Sequence, residues 1–210
     1  MKFISLAALA ICLGMLLYHF IRIVRLGKPK DLSEPSGSVT KGVVYSNTTA
    51  MMPQNKESAY MHLPTYAMGI IFHIGIFTSI LLYFISFTPL LDMWPLFWKI
   101  IGCCLAISGT CGITLFIKRC INKNLKVMSN LDDYLSNMLT TLFQLMTALL
   151  LWFHDSTLVS TLYYIEVSLL LLYIPQGKLK HMLYYFAARY HLGFFYGWRN
   201  VWPKRERDER

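Results

Sequence analysis

The chain has 210 residues, 55% hydrophobic and 15% charged, and its mean hydropathy is +0.44. A water-soluble domain carries about a quarter charged residues; here the charges fall in short blocks between five uncharged runs that approach or exceed the roughly 18 residues needed to span a bilayer. The net charge of +9 would point to nucleic acid in a soluble protein, but the basic residues flank apolar runs, so no nucleic-acid partner is expected.

The first expected span covers residues 3–24. Its start resembles a signal peptide, but no small-residue cleavage site follows. A basic stretch at 25–30 follows instead, which reads as a stop signal and an uncleaved anchor with its N-terminus outside. Residues 26–61 form a polar connection rich in Gly, Pro, Ser and Asn, too polar to span. Asn47-Thr48-Thr49 matches a glycosylation sequon, discounted because this loop is expected inside.

A second span starts at Pro64, a good first-turn residue, and runs to about 87. The third covers 96–117 and the fourth 131–153, with Asp132 and Asp133 suited to the positive N-terminal end of that helix. The turn His154-Asp155-Ser156 is short enough to force antiparallel neighbours. The fifth span starts near Thr157 and stays apolar to Ile174, where Pro175 and Gly177 are positioned to bend it. An amphipathic, aromatic-rich helix is expected over 182–190, followed by a charged tail ending in Lys204 to Arg210.

Lys and Arg collect on one side of this layout: Arg22, Arg25, Lys28 and Lys30, then Lys118, Arg119, Lys123 and Lys126, then Lys178, Lys180 and the C-terminal blocks. Lys2 is nearly alone on the other side, with Lys99 just inside the third span. By the positive-inside rule the expected fold is an all-α integral membrane protein. It is a five-transmembrane-helix bundle with the N-terminus outside and the C-terminus cytoplasmic. Its parts are an anchor helix (1–25), a cytoplasmic connection (26–61), a four-helix membrane core with a juxtamembrane helix (62–190) and a basic tail (191–210).

Cys12, Cys103, Cys104, Cys111 and Cys120 lie in or beside apolar segments without a CxxC pair. The adjacent Cys103 and Cys104 point about 100° apart on a helix, so they read as small packing residues and no iron–sulfur cluster ligated by this chain is expected.

Ionisable groups within spans are costly and each needs an explanation. His19, His73 and Glu166 stand in spans, with His62 and His181 beside them. His73 lies about 14 Å past Pro64 at the helical rise, with Gly69 one turn before it and Gly75 two residues after. Those glycines would let a bulky planar group approach the backbone; otherwise His73 is hydrogen-bonded to a neighbouring helix. His181 lies 18 residues, five turns, beyond Tyr163, with Glu166 near the same line. Two histidines on different spans are what a b-type haem requires. There is no Ser/His/Asp set, no HExxH and no phosphate loop.

Phe72-His73-Ile74-Gly75-Ile76 resembles the haem-bearing helix of the gamma chain of respiratory nitrate reductase, whose family includes the membrane cytochromes b of heterodisulfide reductase type. Pro175 to His181 is similar to the end of that family's last helix. Leu115 to Arg119 followed by Leu131-Asp132-Asp133 resembles its third-to-fourth connection. The resemblance covers about 60–190. It implies His73 and His181 as the ligand pair of an inner-side haem b, with His62 competing as first ligand or serving a propionate, a quinone or the partner.

The family's second haem would take its ligands where Tyr83 and Tyr163 stand, so one haem is expected. What the resemblance implies is an electron-transfer subunit of an oxidoreductase complex in a prokaryotic plasma membrane, rather than an enzyme by itself. It would carry electrons between a diffusible membrane quinone and a cytoplasmic iron–sulfur partner subunit docked on the basic inner face and tail. Glu166, with Tyr163 and Tyr83, is the candidate for quinone or proton handling. The alternatives are a haem-free structural anchor and a small transporter, against which the lack of an internal repeat speaks.

Overall fold

The computed structural model of the chain describes residues 1–27 and 29–203. Lys28 and the charged end Lys204 to Arg210, the proposed docking tail, lie outside the described residues. Within them all regular structure is helical. Ten helices follow in order: α1 (Lys2–Arg25), α2 (Val39–Asn47), α3 (Glu57–Tyr60), α4 (Leu63–Ile85), α5 (Leu90–Met93), α6 (Pro95–Ile121), α7 (Lys123–Val127), α8 (Leu131–Trp152), α9 (Thr157–Tyr173) and α10 (His181–Trp198).

Four of these, α1, α4, α6 and α8, are long and apolar enough to cross a membrane, and a fifth is reached only if Thr157–Tyr173 and Lys178–Trp198 are counted as one broken span. Their outward faces stay apolar, with Phe77, Leu81, Ile100 and Ile107 all exposed. An apolar exterior of this extent suits hydrocarbon and not water. The chain is a helical membrane protein with several spans.

The chain divides into two compact units, Met1–Met15 with Pro64–Leu179, and Leu16–Leu63 with Lys180–Arg210. In the first, one core cluster joins Tyr83, Phe143, Leu150, Tyr163, Tyr164, Val167 and Leu170, and a second joins Leu82, Trp98, Leu105, Ala148 and Leu151. In lipid no hydrophobic drive pulls helices together, so close backbone approach and hydrogen bonds must do so. Gly75 of α4 accordingly lies against Ser108 of α6 and Gln144 of α8, and Gly112 of α6 against the Phe72 ring. Ser108 also donates its hydroxyl to the Ile71 carbonyl at 2.8 Å. α8 opens with a capping box in which Asn130 and Asp133 satisfy each other's backbone N–H groups.

The fifth expected segment is a helix from Thr157 that ends at the bend expected from Pro175 and Gly177, and what needs correcting is the face drawn through that bend to His181. The helix stops at Tyr173, the N–H groups of Gln176 and Gly177 both turn back to the Tyr173 carbonyl, and α10 begins afresh at His181 after a 3-10 turn at Lys178–Lys180. Pro175 has no N–H with which to extend the ladder. Tyr163 and His181 therefore stand on different helices, and the shared face inferred from five unbroken turns does not exist.

In the second unit the polar connection is more ordered than its composition implies. α2 crosses α10 where Gly42 meets Gly193 and Gly197. Ser46 donates its hydroxyl to the Arg189 carbonyl at 2.8 Å, and the Arg189 guanidinium returns a bond to the Ser46 carbonyl. Upstream, the N–H groups of Ser36 and Gly37 donate to the Trp198 carbonyl at 2.9 and 3.1 Å, and Arg199 pairs with Asp31 at 2.7 Å. α10 also runs on past residue 190 to Trp198.

Candidate functional site

His73 sits on the exposed side of α4. Its Nδ1 lies 2.7 Å from the Gly69 carbonyl oxygen. A carbonyl can only accept, so Nδ1 carries a proton and Nε2 lies on the opposite side of the ring. Nε2 has no partner among the described residues. A Cβ on Gly69 would meet nothing within 4 Å, so the helix surface is open one turn from the imidazole. The two glycines flanking His73 thus differ: Gly69 leaves room for a flat group, whereas Gly75 is turned inward and its space is filled by Ser108 and Gln144.

His62 and His181 are both exposed and belong to the second unit, His62 just before α4 in the chain and His181 as the first residue of α10. His19, in the same unit, bonds the Tyr184 hydroxyl through Nδ1 at 3.1 Å. His154 lies between Asp92 and Asp155, at 3.6 and 3.3 Å, a surface arrangement. Among the described residues no three His, Cys, Asp or Glu side chains gather as a metal centre.

Tyr83 and Tyr163 fill the interior of the first unit. Tyr83 donates to the Ser5 hydroxyl at 3.2 Å, and the Tyr163 ring stacks on Phe143 at 6.4 Å between centroids. Both are closely enclosed, Tyr83 at 3% and Tyr163 at 0% exposure. Glu166 is one turn further along α9, buried, with no cation paired to it among the described residues.

A feature that composition conceals is the polar stripe of α8: Asp133, Ser136, Thr140, Gln144 and Thr147 are all buried. Their spacing of three and four residues was visible in the sequence, but the surrounding leucines make the segment read as an ordinary apolar span. Ser136, Thr140 and Thr147 return their hydroxyls to carbonyls one turn back. At the stripe's start Asp133 takes Lys178 and, at 3.4 Å, Arg119, while the Tyr173 hydroxyl bonds Asp132 and lies 2.9 Å from Ser136.

No protein-family model matches the chain, and no curated protein or solved structure matches it either. The functional reading therefore rests on the residues themselves.

Proposed function

We propose that the chain is the haem b-carrying membrane subunit of a respiratory redox complex, moving electrons between a membrane quinone and a cytoplasmic-side iron–sulfur partner. The observation that carries this reading is the orientation of His73. A histidine deep in a span is held by its own helix through Nδ1, which leaves Nε2, on the side of the ring away from Gly69, without a partner among the described residues. Metal-bound histidines characteristically give their other ring N–H to such an acceptor, which raises ligand basicity. His73 would therefore suit the role of an imidazole ligand.

When bound, a haem b supplies one-electron chemistry. The chain's own part is to hold and orient it through His73, and the resemblance supplies His181, or in its place His62, as the second candidate ligand. Tyr83 and Tyr163 are core residues in the first unit, which favours one haem over two. The layout that goes with this reading has five spans, the N-terminus outside, the C-terminus in the cytoplasm, and a prokaryotic plasma membrane as its site. The basic inner loops then face the soluble partner.

The test is the reduced-minus-oxidised spectrum of the purified chain. A b-type band that is lost in His73→Ala and in His181→Ala is the expected result. Absence of the band in the unaltered chain would favour the haem-free anchor.

A further inference from the structure

The first unit buries five polar atoms without a partner at full hydrogen-bond geometry among the described residues: Ser79 Oγ, Gln144 Oε1, both carboxylate oxygens of Glu166 and Tyr163 OH, which the Thr147 hydroxyl approaches. Ser79, Gln144 and Tyr163 are 0% exposed and Glu166 is 5% exposed. Buried polar groups are almost always satisfied, and at bilayer depth an orphaned one costs several kcal/mol. One such atom is a packing defect. Five in one bundle interior call for a ligand with polar atoms.

They also share a level. α8 and α9 are antiparallel neighbours, and the contact of Ser136 with Tyr173 fixes their register. Seven residues back from Tyr173 is Glu166, and seven on from Ser136 is Phe143, next to Gln144. The orphaned Gln144 oxygen points at Gly75 of α4, and Ser79 stands one turn beyond that glycine. Between Glu166 and one end of the bundle stand further hydroxyls. Tyr163 is nearest in the chain, its ring 5.1 Å from that of Tyr164, and two hydrogen-bonded pairs lie beyond it. Tyr164 donates to Ser86 Oγ at 3.0 Å, Tyr83 to Ser5 Oγ at 3.2 Å, and Lys2 Nζ to the Ser86 carbonyl at 3.2 Å.

The titratable groups nearest Glu166 are Tyr163 on its own helix and, beside Tyr163, Tyr164 and Tyr83 of α4; Lys2 of α1 is engaged at the Ser86 carbonyl and the Tyr164 ring instead. The nearest charge on α8 is Asp133, 11 residues from Gln144 and so about 16 Å along the helix. An ionised Glu166 thus has no counter-charge beside it, whereas a carboxyl carrying its proton has an O–H to give.

We propose that Glu166 is a proton-exchanging site, loaded and unloaded through Tyr163 and the Tyr83–Ser5 and Tyr164–Ser86 pairs from the end of the bundle where Lys2 stands. The missing partners are water molecules bridging Glu166, Tyr163, Gln144 and Ser79, each taking the two or more hydrogen bonds a buried water needs. A proton from bulk water enters at the Lys2 end. Each hydroxyl or water passes one proton on as it accepts another, and the last O–H bond forms at a Glu166 carboxylate oxygen. Release runs the same steps in reverse, and no electron moves. The site goes beyond the haem reading and stands whether or not haem is bound.

Infrared spectroscopy of the purified full chain in lipid, transferred into D2O, tests this. The carboxylic C=O band removed by Glu166→Gln is expected to shift within seconds in the unaltered chain. In Tyr163→Phe the shift is expected to be lost on that timescale. Glu166→Asp, which moves the band instead of deleting it, assigns it independently should the glutamine variant fold poorly. A band that stays unshifted for hours marks a dry packing carboxyl and overturns the site. So does a spectrum in which neither variant changes any carboxylic band. Exchange in Tyr163→Phe as fast as in the unaltered chain overturns the route. None of these readouts requires haem.

Discussion

The Nδ1 of His73 lies 2.7 Å from the carbonyl oxygen of Gly69, one turn earlier on the same helix. The bond is local to α4, so it sets the tautomer without help from any other helix. It also gives Gly69 two roles, as acceptor and as the residue whose missing side chain leaves the helix surface open beside the imidazole.

Gly69→Leu separates those roles. The carbonyl remains, and a Cβ there meets nothing within 4 Å, so thermal stability should hold or rise by up to about 1 kcal/mol from helix propensity. The haem reading expects the open space to be filled, with less haem per purified chain by pyridine haemochrome assay. Full haem content in this variant would remove that space from the ligand site.

Gly42 offers the opposite case. A Cβ there would strike the Gly193 carbonyl oxygen and the Gly197 backbone, which cannot swing aside as a side chain can. Gly42→Ala should therefore destabilise the second unit by about 1–3 kcal/mol, the usual cost of overpacking. Gly14→Ala, on α1 with nothing within 4 Å, serves as the control and should be neutral or slightly stabilising. Thermal unfolding in detergent, followed by circular dichroism, reads both.

Asp133 is the most connected acid of the first unit, taking Lys178, Arg119 and the Asn130 N–H together. Asp133→Ala removes the capping box and two ion pairs at once. Lys178 and Arg119 are 55% and 35% exposed, so water recovers much of the charge term. The expected loss is about 1–2 kcal/mol, mainly from the cap, seen as a lowered unfolding midpoint. Asp132→Ala, which leaves the box intact, should cost less.

Asp31 gives a pH dependence with a definite sign. The hydroxyl and N–H of Ser33 donate to it at 2.7 and 3.0 Å, and Arg199 pairs with it, which together hold its carboxyl below the usual carboxylate range. A depressed acid stabilises the folded form above its ordinary value of about 3.9. That contribution fades as pH falls through the lower folded value. Hydrogen exchange at the Ser36 and Gly37 amides, which are tied to Trp198, should be unaffected by this group between neutral pH and about 5. It should show extra opening below about 4, and Asp31→Asn should abolish that acid-dependent step.

Much of this protein was legible in the order of its residues. Uncharged runs of spanning length, cut by basic blocks, determine four helices whose ends fall within a few residues of Pro64, Pro95 and Asn130, because hydrocarbon leaves a backbone no alternative to the helix. His73 and Glu166 were conspicuous for the same reason, as ionisable groups in apolar runs. Helix faces, breaks and pairings are decided by contacts distant in sequence, and those only the tertiary structure settled. It turned Gly69 outward and Gly75 inward, though both flank one histidine. It ended α9 at Tyr173, so that Tyr163 and His181 parted, and it fastened residues 31–47 to α10 through glycines that composition alone reads as a loose connection. It also aligned the α8 polar stripe with Glu166. A stripe of Ser, Thr and Gln among leucines becomes a feature only once a facing helix buries it.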